Sequence, residues 1–302
     1  MRMHPVFQII VLLVCVLFSV PAMSDGHDKA QIQTVNVADG IYMLVGSGGN
    51  IGVSAGDDGV LIIDDQFEAM NEKIRAAIAD VTDQPVKMLL NTHWHGDHTG
   101  GNQSFAKTGA LIIAHNNVRT RMSTEHFSEF FNMQVEPSPA AALPVVTFDS
   151  GVTLHLNKQT IEVQHVGPAH TDGDSVIWFK EANVAHLGDI YFNNLYPFID
   201  LDSGGSLTGM ITALRQVVPK MDDATKVMPG HGPLSDRRGV IDFLEMLETV
   251  NERITTMIAQ GKTEDEIVAA KPTAEFDDRW GKGFIKPDRW VKLVHQSLTT
   301  NP

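Results

Sequence analysis

Six consecutive positions from His93 to His98 carry three imidazoles and a carboxylate: His93, His95, Asp97 and His98. Neutral ring nitrogens beside a carboxylate oxygen form the donor set of zinc and its neighbours in the first transition row. On an extended backbone, side chains 93, 95 and 97 fall to one side while His98 turns off at the end, so four donors fan into one cavity. Three further candidates stand far downstream, at His170, Asp189 and His231. Each follows a strand-like run on a loop rich in glycine or proline, such as Gly167-Pro168-Ala169-His170 or Pro229-Gly230-His231-Gly232. Loops leaving strand ends on one rim of a sheet converge in space even when distant in sequence.

The elements that would position these donors follow from periodicity and turn chemistry. Runs 32–37, 41–45, 50–55 and 60–64 read as short strands, and Asp39-Gly40, Gly46-Ser47-Gly48-Gly49 and Gly56-Asp57-Asp58-Gly59 between them are hairpin signals, which predicts an antiparallel meander. A helix over 67–81, a strand at 86–90, a helix near 103–108 and a strand at 111–114 come next. Strands resume at 145–148, 152–156, 160–166, 175–179 and 184–187, with a further short one at 226–228. A helix over 207–218 has Ser206 as its cap, and a second over 239–260 presents Val240, Leu244, Leu247, Val250, Ile254 and Met257 on one face. Thr263-Glu264-Asp265-Glu266 is a capping box, and 288–298 closes the chain as helix. Strands, helices, strands and helices in that order predict an α/β architecture of two similar halves packed sheet to sheet with helices outside.

The stretch 116–142 has no such rhythm. It is rich in large side chains, including His126, Phe127, Phe130, Phe131 and Met133, and reads either as a packed helix pair or as an apolar lip over the site. The helix pair is the favoured expectation.

The 302 residues, 43% hydrophobic, suffice for one large core, and a single compound domain over 25–302 is expected. A short basic start, an apolar run from Val6 to Val20 and small residues before Ser24 predict a cleaved secretory signal peptide over 1–24. That run is too short for a spanning helix, so no stable membrane anchor is expected after cleavage. The only cysteine, Cys15, lies inside it, which leaves the mature chain without disulfides or thiolate ligands. The expected location is the periplasm or the exterior. A formal charge of −14 repels polyphosphate backbones, so a small molecule rather than nucleic acid is the expected partner.

Taken together, the run His93-x-His95-x-Asp97-His98 with His170, Asp189 and His231 in order resembles the metallo-β-lactamase superfamily across nearly the whole mature chain. The resemblance implies a four-layer αβ/βα sandwich. It also implies a dinuclear site in which His93, His95 and His170 hold the first ion, Asp97, His98 and His231 the second, and Asp189 bridges both. Two zinc ions are the implied cofactors, with iron or manganese as substitutes. Such a site leaves an open position for water, whose pKa falls from 15.7 toward about 7, and the resulting hydroxide attacks a polarised carbonyl. Asp97 would orient that nucleophile and relay its proton. Asp172 could accept from ligand imidazoles, as could Asp174. Tyr191 is either an oxyanion donor or a core residue, Trp94 belongs to packing or the pocket floor, and His186 is expected to be packed.

Departures from family patterns narrow the chemistry. Asp189 stands where the cysteine-containing β-lactamase subclass has a thiolate, and Phe192 where that subclass often has a substrate-gripping lysine, which argues against efficient penicillin or carbapenem hydrolysis. His95 replaces the glutamate of flavodiiron relatives, which points to hydrolysis rather than redox chemistry. Cleavage of a C–N, C–O or C–S acyl bond is the expected reaction, lactam ring-opening among its forms. A lactonase or thioesterase without useful β-lactamase activity is the alternative, and a non-catalytic periplasmic zinc-binding protein the alternative of another class.

Overall fold

Gly40 and Gly59 adopt φ of 67° and 110°, conformations that a Cβ disfavours, and they turn the chain between β1 (Gln33–Ala38) and β2 (Ile41–Val45), and between β3 (Ile51–Gly56) and β4 (Gly59–Ile63). The result is the antiparallel meander expected from the sequence. The computed structural model describes residues 29–300, so the expected leader over 1–24 lies outside the described residues.

After β4 the chain changes to parallel pairing. A 3₁₀ turn leads into α1 (Asn71–Ala79), then β5 (Val86–Leu90), the short helices α2 (Gly96–Thr99) and α3 (Asn102–Lys107), β6 (Leu111–His115) and α4 (Asn116–Met122). A small hairpin, β7 (His126–Ser128) and β8 (Met133–Val135), stands apart before β9 (Val146–Phe148) completes a seven-stranded sheet ordered β1-β2-β3-β4-β5-β6-β9. The second sheet comprises β10 (Gly151–Leu156), β11 (Gln159–His165), β12 (Ser175–Phe179), β13 (Val184–His186), β14 (Lys226–Met228) and β15 (Ser235–Asp236), in that order. Its helices are α5 (Leu207–Val217), α6 (Arg237–Ala259), α7 (Glu264–Ala269), α8 (Asp277–Trp280) and α9 (Pro287–Thr300).

Alternation along the strands explains the layers. In β4, Leu61 and Ile63 join an inter-sheet core with Ile161, Ile177 and Phe179, while Val60 and Ile62 face Ile74 and Ile78 of α1. In β12, Ile177 and Phe179 face that inter-sheet core, whereas Val176 and Trp178 pack with Leu214 of α5 and Leu247 of α6. Both strands are buried on both faces, as a four-layer αβ/βα sandwich requires. Truncating a residue such as Ile62 to alanine would cost about 2–5 kcal/mol.

Helix ends follow the expected signals. The Ser206 side chain accepts from Gly209 N, and Thr263 with Glu266 forms a complete capping box. One expectation fails: 116–142 is not a helix pair. Only α4 is an α-helix there, and a hairpin follows. Asn132 takes the left-handed conformation at its turn (φ 49°), and Pro137 and Pro139 exclude a continuing helix. No helix among the described residues is long and apolar enough to cross a membrane.

Candidate metal centre

The donors sit on the rim where β5, β11, β13 and β14 end. His93 and His95 lie on the extended segment after β5, but His95 is the N-cap of α2, so Asp97 and His98 occupy a helical turn instead of continuing the extended run. The backbone bends at that point, and His98 reaches the same space as Asp97 from the other side. His170, Asp189 and His231 enter from the second sheet. Two groups result, His93/His95/His170/Asp189 and Asp97/His98/His231, the donor atoms within each lying within 4.8 Å of one another.

Hydrogen bonds at the outer ring nitrogens set the tautomers. His95 Nε2 donates to Asp200 Oδ2 at 2.8 Å, His170 Nδ1 to the Phe198 carbonyl at 2.8 Å, and His98 Nδ1 to Asp64 Oδ2 at 2.8 Å. Thr92 gives its hydroxyl hydrogen to Asp64 Oδ2, so it accepts from His93 Nδ1 at 2.9 Å. The inner nitrogens therefore carry lone pairs. Those of His93 and His170 stand 3.1 and 2.9 Å from that of His95. Lone pairs facing one another repel unless a cation lies among them. Asp189 completes the arrangement: its Oδ2 is 3.5 Å from His170 Nε2 and 3.4 Å from His231 Nε2, while Oδ1 is 3.1 Å from His98 Nε2 and accepts no well-directed hydrogen bond among the described residues. Its carboxylate spans the two groups. These residues fit a pair of divalent cations.

Electrostatics point the same way. Burial would raise the Asp189 carboxyl, but positive charge at the facing imidazoles, His98 foremost, holds it well below the usual range, a role that a cation held by their lone pairs would take over. Burial opposes charge on His231 too, yet Asp189 and Asp97 push it up to about 9. His170 is lowered to about 4 by burial, against the pull of Asp189. The centre thus has a strongly negative focus at Asp97 and Asp189, where positive charge is favoured.

Two glycines let the backbone approach. A Cβ at Gly230 would lie 2.0 Å from Asp189 Oδ1, and one at Gly49 would lie 2.1 Å from His98 Cε1. Asn50 ties these loops together, its side chain donating to Pro229 O and Gly232 O on either side of His231.

Other expectations resolve differently. Asp172 pairs with Arg121 at 2.8 Å and touches no ligand imidazole, and Asp174 accepts from Thr171 N and Oγ1, folding the loop after His170. Tyr191 is 1% exposed with its hydroxyl on Ser235 Oγ at 2.7 Å, so it is a core residue and not an oxyanion donor. His186 is packed, with Nε2 to Asn50 O. Trp94 lines the cavity beside His95 and stands edge-on to His126. That cavity, about 610 Å³, is walled by the hairpin's Phe131, Met133 and Val135, so the lip reading of 116–142 holds in place of the helix pair.

Sequence reasoning missed Asp64, Asp200 and Asn50. Asp64 follows the wholly buried β4, the same strand-end signal that singled out Asp189.

Comparison with known proteins agrees with this geometry. Residues 44–231 match the family model described as the metallo-beta-lactamase superfamily. The chain belongs to that superfamily. It is 23% identical over 167 residues to a metallo-beta-lactamase type 2 of Bacteroides fragilis, covering 55% of this chain and 61% of that protein. It is 26% identical over 183 residues to a hydroxyacylglutathione hydrolase of Nitrosococcus oceani, covering 60% of each. The chain thus spans about three-fifths of the length of these relatives. The solved structure of a sec-alkylsulfatase from Pseudomonas sp. superposes with a TM-score of 0.64 at 17% identity, covering 89% of this chain and 50% of that one, a likeness of fold. Members of the superfamily are generally hydrolases, and the clustered His and Asp donors make a candidate divalent-metal site in this one.

Proposed function

We propose that this superfamily member is an exported dinuclear-zinc hydrolase that adds water across an acyl C–N, C–O or C–S bond, in the periplasm or outside the cell, after loss of residues 1–24. The observation that carries the reading is the convergence of three lone-pair nitrogens, from His93, His95 and His170, beside a carboxylate that reaches the second group of donors. A purely zinc-storing protein would not account for the cavity of about 610 Å³ that opens onto the donors.

When bound, two such cations supply Lewis acidity toward a carbonyl and acidify water toward neutral pH. The chain does the rest. Asp97, 27% exposed in its side chain and on the cavity wall, orients the attacking water and takes its proton on the carboxylate. Asp200 and Asp64 keep the His95 and His98 rings in the tautomers that present lone pairs inward. Trp94 and Phe198 cover the donors and limit bulk water.

The test is metal analysis of the purified mature protein coupled to a panel of a chromogenic cephalosporin, a lactone, a thioester and a phosphodiester. Hydrolysis of an acyl substrate, abolished by chelation and reduced about 10²-fold or more in kcat by Asp97→Asn, is the expected result. Undiminished turnover after chelation would overturn the reading. One observation favours ester or lactone cleavage over lactam cleavage: no lysine or arginine lines the cavity among the described residues, so an obligate carboxylate finds no cationic side chain there.

A further inference from the structure

We propose that the cavity selects an uncharged substrate with an apolar group several carbons long next to the scissile acyl bond, and that the β7–β8 hairpin enforces this choice. The inference rests on the hydrolase reading above and names its substrate class.

The hairpin touches the core through Phe130 and Val135, each only partly buried. It also brings Phe131, Met133 and Val135 into the lining of the cavity, which Phe192, Leu195 and Phe284 line as well. Phe131, Met133 and Phe284 are 49, 52 and 58% exposed, unusual for large apolar side chains grouped around one opening. Folding alone does not explain them, whereas an apolar ligand would cover them. The charged groups among the lining residues are all acidic apart from the imidazoles. Asp97 and Asp189 belong to the metal donors, Asp200 holds His95, and Asp202 accepts from Glu129 N on the hairpin. A substrate carboxylate near the mouth would meet Asp202 and apolar walls.

A neighbouring groove meets the cavity at Phe198 and Asp202 and does contain Arg289 and Lys292. Both cations are engaged, Arg289 with the Phe130 carbonyl and ring, Lys292 with Glu264 and Asp265. Lys292 is thereby neutralised, whereas Arg289 keeps its charge in the groove and does not line the cavity. Hydrolysis itself is balanced by water alone: the acyl C–X bond breaks, a C–O bond forms, and the products are a carboxylic acid and HX.

The experiment compares p-nitrophenyl acetate, butyrate and octanoate with the ω-carboxylate adipate monoester, using the metal-loaded protein. Each methylene buried should raise kcat/KM by about fourfold at most, so octanoate should exceed acetate by roughly tenfold or more, chiefly through KM, and the adipate ester should be the poorer substrate. Met133→Lys, at an exposed position, should bring the octanoate-to-acetate ratio of kcat/KM down toward one and raise the adipate ester relative to octanoate. Val145→Lys, 66% exposed and outside the cavity, should change nothing. A readout without turnover is Trp94 fluorescence on titration with 2-decanone against 2-butanone, with Trp94→Phe giving the background; tighter binding of the longer ketone is expected. Turnover with no dependence on chain length, or with the adipate ester preferred, would overturn the inference and leave the hydrolase reading standing. No turnover of any ester, lactone, thioester or lactam by protein holding two metals would overturn that reading and this inference with it.

Discussion

Asp64 shows how one buried residue controls a metal donor it does not replace. It sits in the left-handed region at φ 62°, fully buried, and accepts from Thr92 N, Thr92 Oγ1 and His98 Nδ1. Asparagine tolerates that backbone, so Asp64→Asn should fold yet release the His98 ring. The expected outcome is zinc affinity reduced about 10–100-fold at the Asp97/His98/His231 group, with the other group little changed, as read by competitive chelator titration. Asp200→Asn should do the converse through His95. At this scale the donors were legible because imidazoles and carboxylates directly after strands are conspicuous. The supporting residues were not: Asp200 follows an irregular segment with no period, and its partnership with His95 spans 105 positions. Tyr191 was ambiguous because a buried hydroxyl can face either a site or a core, and only the Ser235 contact decides it.

Among the elements, α4 carries a device unrelated to the metals. His115 caps it by accepting from Asn117 N at Nδ1, donates through Nε2 to Asp149 O, and stacks on His165 with ring centroids 3.8 Å apart. Burial, reinforced by the His165 ring, lowers its pKa below the ordinary 6.5. The unfolded chain therefore takes up a proton that the folded chain resists, so the associated stability is present above about pH 6.5 and is lost as pH falls below it. His115→Asn keeps a cap but removes the titration. Its urea midpoint should fall less than the wild-type midpoint between roughly pH 7.5 and roughly pH 5.5; equal falls would refute this assignment. Gly230 makes a second prediction. Alanine there would press on Asp189 Oδ1, so Gly230→Ala should lower zinc stoichiometry below that of wild type. Strand and helix boundaries were readable from alternation and caps. The hairpin was not, because Phe131 and Met133 look like core when spacing alone is considered, and only the structure shows them half-exposed and lining a cavity.

For the whole molecule, the sheets bring halves far apart in sequence to one rim, and the donors come from both. Cations bound there should couple the halves. At a free zinc concentration about a thousandfold above Kd the stabilisation is about 4 kcal/mol, and chelation should lower Tm by roughly 5–10 °C. The four-layer plan was legible from element order, since strands buried on both faces demand helices on either side. The cavity was not legible, since its lining comes from a short hairpin and from loops that have no period. A zinc titration of chelated protein, with bound metal and hydrolysis of the best acyl substrate measured together, decides whether these donors form a catalytic centre. Without metal there should be no turnover, and activity should saturate as two ions per chain are bound. Turnover in the chelated protein, or two ions bound with no hydrolysis of any acyl substrate, would contradict this.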